Sequence, residues 1–333
     1  MSQETNLEES VKYTSVVFWG IYNNLVGLLA RERDTPTAVE LIRQTMRAEQ
    51  GVRYMEGLRK LGIDPDEPPA VKAAKYHYLS NSIGGLSLEY FRESDRKAWI
   101  RYRAPVGSYP GSGLAVVPRD IRKTVFMTWH PKNGELMGCD RLQWVLTKLS
   151  CDGHPFDEGY FIEHDDPVPL EARGIALDED PPSKVFDPRK FPALDANQWP
   201  RIRLLKAQRS FGHDYFSASL RKLPSLVGES FADAYVRLAT RLVAIQEQRT
   251  FAVPDDIAPE DWLATLASHL TGDQGASDGG PTRRFVTRYD AGKAGHLPTV
   301  AIQTFLNALS DLWHLDQVWT VDANNRYALV MTM

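Results

Sequence analysis

Two patterns of apolar residues, each used twice, constrain this chain more than any other feature. Residues 14–31, 36–61 and 69–80 carry apolar side chains in helical register, first Val17, Ile21, Leu25 and Leu28 at steps of three and four, then Leu41, Met46, Val52, Met55 and Leu58 on one broad face. That spacing gives a helix one buried face. Thr35 followed by Pro36 supplies the start of the second helix, and "KLGIDPDEPP" ends it. From Leu86 the spacing changes to alternation. "LSLEYFRE", "KAWIRYRA", "KTVFMTWH", "RLQWVLTKL" and "EGYFIEHD" are rich in aromatic and β-branched residues, with Ser94–Asp95 and Asp152–Gly153 as turns. They read as an antiparallel meander.

Neither pattern holds between 166 and 200, a stretch dense in proline and acid that marks a linker or a long surface crossing. The order then returns. "SFADAYVRLATRLVAIQEQR" and "APEDWLATLASHL" carry helical spacing, "GDQGASDGGP" is a flexible loop, and "RRFVTRYD" is a strand. A helix, "TVAIQTFLNALSDLWH", and a hairpin of "DQVWTVD" and "NRYALVMT" through Ala323, Asn324 and Asn325 close the chain. The expected architecture is α+β, with helical layers packed on antiparallel sheets in two related halves. Residues 1–165 and 201–333 form the halves, and 166–200 joins them.

Charge narrows the partners. With 39 basic against 43 acidic side chains and a net charge of -4, the chain lacks the general cationic excess by which proteins displace counterions from nucleic acid. The combination of Arg96, Lys97, Arg101 and Arg103 with Trp99 and Tyr102 would suit base stacking. Alternation gives the simpler account: Trp99, Arg101 and Arg103 share one face of a strand, Ile100 and Tyr102 the other. Arg101 and Arg103 then line a solvated face or bind a carboxylate. "SVVFWGIYNNLVGLLA" is interrupted by Asn23 and Asn24, so no membrane partner is expected. The start, "MSQETNLEES", is acidic where a secretory signal is basic, and Cys139 and Cys151 are too few for a disulfide scaffold. A cytoplasmic protein with a small-molecule partner is the expectation, with homo-oligomer formation open and no cofactor implied.

The densest polar stretch, "CDGHPFDEGYFIEHDD", joins two expected strands through Asp152–Gly153. His154 sits near the loop tip, where scaffolds place chemistry. It is a candidate acid–base group with Glu158, while Glu163, Asp165 and Asp166 read as solvated charge. His130 ends the expected 124–130 strand, with Cys139 across "HPKNGELMGC"; an adjacent imidazole is what makes a thiolate. A lone cysteine between Gly138 and Asp140 is, however, most often just a small buried residue, and that is the stronger reading. In sequential pairing, His130 and His154 lie at opposite sheet ends, about 25 Å apart, too far to share a metal. His77 and Asn81 end a helix. Together with Trp99, Arg101, Arg103, Trp129 and Trp144 they suit an anionic aromatic or cyclic ligand, and His213, beside Asp214 and Tyr215, is placed to complete such a pocket.

"AVELIRQTMRAEQGVRYMEGLRKLG" followed by "YHYLSNSIGGLSLEYFRESDRKAWIRY" resembles the L-2-amino-thiazoline-4-carboxylic acid hydrolase-like superfamily over roughly residues 14–165. The resemblance implies a helical layer on an antiparallel sheet and hydrolysis of a small cyclic substrate with a cysteine in the pocket. Cys139 and Cys151 lie around the "RLQWVLTKL" strand and neither aligns clearly with the family's cysteine, so the fold can carry over where the reaction does not. The leading expectation is an enzyme, a hydrolase or lyase. A non-catalytic sensor or binding protein is the competing class, and a metal-dependent enzyme using His130 or His154 with nearby acids is the third.

Overall fold

The computed structural model describes residues 3–103, 118–177, 184–273, 275–277, 282–287 and 296–332, without the side chains of Gln3, Val52 and Arg326. Helices are α1 (Gln3–Glu32), α2 (Thr35–Lys60), α3 (Pro69–Ile83), α4 (Arg119–Trp129), α5 (Asn133–Met137), α6 (Arg201–Val227), α7 (Glu229–Gln246), α8 (Pro259–Thr271) and α9 (Leu297–Leu312). Strands are β1 (Leu88–Ser94), β2 (Lys97–Arg103), β3 (Leu142–Lys148), β4 (Phe156–Glu163), β5 (Gly174–Ala176), β6 (Ala276–Ser277), β7 (Thr282–Val286), β8 (Val318–Asp322) and β9 (Asn325–Thr332). The class is α+β. No helix among the described residues is long and apolar enough to cross a membrane.

The chain divides into two compact units, but not at 166–200. Residues up to Leu41 join those from Arg209 onward, and the described residues from Ile42 to Gln208 make the second unit. Helices α2 and α6 each span the division. The first helix of the expected N-terminal half therefore belongs with the C-terminal residues: α1 packs on α7 and α8, and its Gly20 lets Val243 approach so closely that a Cβ there would lie 2.9 Å from the valine methyl.

In the unit of residues 42–208, the sheet runs β1-β2-β4-β3-β5. It is not the expected sequential meander. "KTVFMTWH" is helix α4, and the chain crosses from β2 to β3 through it. Val125, Thr124 and Thr128 give the segment a strand-like look, yet Pro118 immediately before it and Asp120 in its first turn are helix-start chemistry. Helix α3 lies against β1, β2 and β4. Its Ala70, Val71, Ala73 and Ala74 meet Leu88, Tyr90, Ile100, Tyr102, Leu142, Trp144 and Phe161 in one core. At Gly159 a Cβ would sit 2.5 Å from the Trp144 ring and 2.6 Å from the Val145 carbonyl oxygen, so glycine is what admits the indole. The proline-rich segment is more than a linker, because β5 pairs parallel with β3.

In the other unit the sheet runs β6-β7-β9-β8, antiparallel throughout, with α9 joining β7 to β8 and packing on β8 and β9. Strand order and sense match those of β1-β2-β4-β3, and a helix again follows the second strand. The two related halves expected from the pattern are thus alike in connectivity. The loop expected at 271–281 contains β6, and residues 274 and 278–281 lie outside the described residues.

Candidate functional site

The sheet of residues 42–208 carries polar chemistry on both faces. On the face toward α3, three rings stack in series: His77 on His130 at 3.9 Å and 12°, and His130 on Trp144 at 4.2 Å and 29°. His77 comes from α3, His130 from the 3-10 turn that continues α4, and Trp144 from β3. Tyr102 Oη lies 3.0 Å from His130 Nε2, and His130 Nδ1 lies 3.2 Å from the Phe126 carbonyl oxygen. A carbonyl only accepts, so Nδ1 holds the proton and Nε2 accepts from the tyrosine. Asn133 Nδ2 donates to His77 Nε2 at 2.7 Å, and Asn133 Oδ1 takes a hydrogen bond from Gln50 Nε2 at 2.9 Å.

This network is buried. His77, His130, Asn133 and Gln50 are all buried, and burial pushes the His130 pKa down to about 3. Burial, and then the neighbouring His130, hold His77 well below the usual imidazole range. Both rings are neutral near pH 7. Gln50 Oε1 and Trp144 Nε1 have no hydrogen-bond partner among the described residues; each costs about 1–3 kcal/mol unless a water serves it.

Next to the stack, on the same face, Asp157 is fully buried and paired with Arg122 of α4, and it also accepts from the Ser150 backbone N–H at 2.6 Å. Strand alternation sends the following residue, Glu158, to the opposite face. There Arg101 Nη2 reaches Glu158 Oε2 at 2.6 Å and Arg101 Nη1 reaches Glu89 Oε2 at 2.9 Å. The Phe156 and Phe186 rings enclose the guanidinium at 4.0 and 4.1 Å. Lys148 stands 3.8 Å from Glu158, and Arg103 stands 3.3 Å from Glu89 with most of its side chain exposed. Farther along, Trp99 donates from Nε1 to Glu93 at 2.5 Å, while Lys97 and Lys184 lie over the Trp99 ring at 5.0 and 5.4 Å. Lys97 also sits 4.2 Å over Tyr160.

The predicted residues therefore separate. Trp144, His77 and His130 lie on the α3 face, while Trp99, Arg101, Arg103 and Glu158 lie on the other, so they do not line one pocket. Trp129 packs in a neighbouring cluster with Tyr54 and Trp199, and Asn81 donates to the His77 carbonyl oxygen at 2.8 Å. Both nitrogens of His130 are engaged, which leaves none to activate Cys139; that thiol packs against the core, and its backbone N–H donates to Gly134. The expected hairpin is present, with Gly153 at φ 96° and His154 half-buried beside it. Cys151, at the same turn, is exposed. Desolvation, and then Asp152 and Asp157, raise its pKa, so it is a neutral thiol. His213 belongs to the other unit, in α6, where Ser217 Oγ lies 3.1 Å from Nε2 and the Phe18 ring meets it edge-on.

Sequence reading missed Tyr102, Gln50, Asn133, Arg122 and Glu89. Only Tyr102 left a signal, a polar tip on the strand face opposite Arg101. Among the described residues no group of three or more His, Cys, Asp or Glu side chains is placed to hold a metal ion. The chain matches no protein-family model, no curated protein and no solved structure.

Proposed function

We propose that the chain is a small-molecule-binding protein that takes an anionic, planar ligand on the Trp99–Arg101–Arg103 face of its first sheet. The observation that carries the reading is the charge of that face. Among the described residues five cations, Lys97, Arg101, Arg103, Lys148 and Lys184, are set against three carboxylates, Glu89, Glu93 and Glu158. Two positive charges remain beside the half-buried Phe156, Tyr160 and Phe186 rings, which offer the stacking surface, while Trp99 is buried beneath them. Arg101 is saturated and holds the platform rigid; Arg103 and Lys184 are the more accessible ends. The free thiols Cys139 and Cys151 suit a reducing compartment such as the cytoplasm.

Binding is favoured over turnover because an imidazole with a pKa near 3 exchanges protons poorly at neutral pH. A hydrolase or lyase reading would need another group to move the proton. The test is to screen purified protein against aromatic carboxylates and their neutral amides, following melting temperature and ligand mass together. Stabilisation by the carboxylates, weakened by salt and by Arg103→Ala or Lys184→Ala, with no loss of ligand, is the expected result. Equal stabilisation by the amides would overturn the charge argument, and consumption of the ligand would restore the enzyme.

A further inference from the structure

Helix α7 is apolar on two faces. Ala232, Val236, Ala239 and Val243 are buried, and α7 packs on α1 and α9 within its own unit. Away from that contact Phe231, Leu238 and Ile245 are exposed at 57%, 45% and 54%. These three account for a large share of the exposed bulky apolar side chains among the described residues, and they recur every seven positions. Seven residues are two helical turns, so the three side chains stand in one row, as in the seam between paired helices. Isolated exposed leucines need no explanation; a row at that spacing does.

We infer that this row is a homodimer contact, in which a second copy of the chain packs its α7 antiparallel about Leu238. The row is symmetric around that residue. A two-fold axis there sets Leu238 against Leu238 and Phe231 against Ile245, twice, which is the self-complementarity an isologous interface requires. Tyr235 and Leu242, half-buried on one flank of the row, then fall beside each other across the axis. Charge selects the direction. The Arg33 guanidinium lies 5.9 Å from the Phe231 ring, at the N-terminal end of the row, and Glu247 follows the last turn of α7. Antiparallel pairing brings Arg33 of one copy to Glu247 and the negative helix end of the other. Parallel pairing would bring Arg33 against Arg33. An 18-residue helix is about 27 Å long, and one helix pair buries less than the roughly 800 Å² per partner of a standard stable complex. The dimer is therefore concentration-dependent.

Sedimentation equilibrium of the full chain from low to high micromolar concentration tests this. Reversible dimers are expected, and Leu238→Asp, a substitution at an exposed site, should raise the dissociation constant at least about tenfold, with a melting temperature that matches the parent chain at concentrations where both are monomeric. The direction is read separately in a Cys151→Ser background. Phe231→Cys and Ile245→Cys chains, mixed and oxidised, should form the mixed disulfide in preference to either homodisulfide. A chain that stays monomeric throughout the range, or a dimer untouched by Leu238→Asp, overturns the proposal. Preferred homodisulfides overturn the antiparallel arrangement.

Discussion

The two sheets share strand order, strand sense and the helical crossover after the second strand, yet they bury different chemistry. Between the first sheet and its helices lie two histidines, a tyrosine, an asparagine, a glutamine and the Arg122–Asp157 pair. In the unit of the second sheet Phe285 of β7 meets Trp319 of β8 at 5.6 Å, and Leu329 and Met331 of β9 and Val300, Ile302, Phe305 and Leu309 of α9 are buried, with Phe305 packed on Phe251. The polar side chains of α9 serve the backbone instead: Asn307 Nδ2 donates to the Trp319 carbonyl oxygen at 2.9 Å, and Asn307 Oδ1 accepts from the Trp319 N–H at 2.8 Å, tying down edge strand β8. One connectivity thus supports a sheet packed on an imidazole stack and a buried ion pair, and a sheet whose helix spends its polar groups on the backbone of an edge strand. Topology does not dictate which sheet carries a site; the side chains on the crossover helix and the turn after it do.

The largest expected difference is in acid. An unfolded chain protonates His77 and His130 near pH 6.5, whereas the folded protein refuses the proton until about pH 3 at His130. Stability attached to that residue therefore falls as pH drops through 6.5, by about 5 kcal/mol once pH 3 is reached, and His77 adds to the fall. In the other unit His269 has its pKa lowered to about 4, by burial and then by Arg209, a smaller loss. Amide exchange at pH 4 should show the strands β1–β4 opening before β7–β9. Equal loss of protection would erase the contrast.

Asp157→Asn comes next. It leaves the Arg122 guanidinium buried without its carboxylate and should cost about 3–5 kcal/mol, while replacing both partners with apolar residues should recover most of that. A double mutant as unstable as the single would mean that the pair is not the source. Gly159→Ala drives a methyl into Trp144 and the Val145 carbonyl; denaturant unfolding should register a loss of about 1–3 kcal/mol. The smallest effect is expected in the second sheet, where Asn307→Ala removes two hydrogen bonds to β8 and should cost about 1–2 kcal/mol. If it outweighs Gly159→Ala, the second sheet depends on polar contacts more than the comparison allows.

Much of this fold is legible in the sequence. Alternation in "KAWIRYR" sends Trp99, Arg101 and Arg103 to one face and Ile100 and Tyr102 to the other, as the register shows. Asp152–Gly153 marks the β3–β4 turn, and the spacing in α7, α8 and α9 marks their buried faces. The failures have local causes. Helix α4 hides behind β-branched residues, and packing overrides that propensity. Helix α6 hides behind Gly212 and Pro224; the glycine is there because a Cβ would lie 2.8 Å from the Trp19 indole nitrogen. The site is less legible than the fold because its central contacts, His77 with His130 and Arg122 with Asp157, join residues dozens of positions apart.

The central claim is that the paired imidazoles of the first sheet are a neutral, structural stack and not an acid–base centre. Nitrogen-detected NMR of the histidine rings between pH 5 and 8 tests it most directly. The account predicts a His130 ring protonated at Nδ1 only, with nitrogen shifts constant over the whole range. A His130 ring that titrates between pH 6 and 7 would contradict it, and would return to this sheet the proton-transfer chemistry that the sequence suggests.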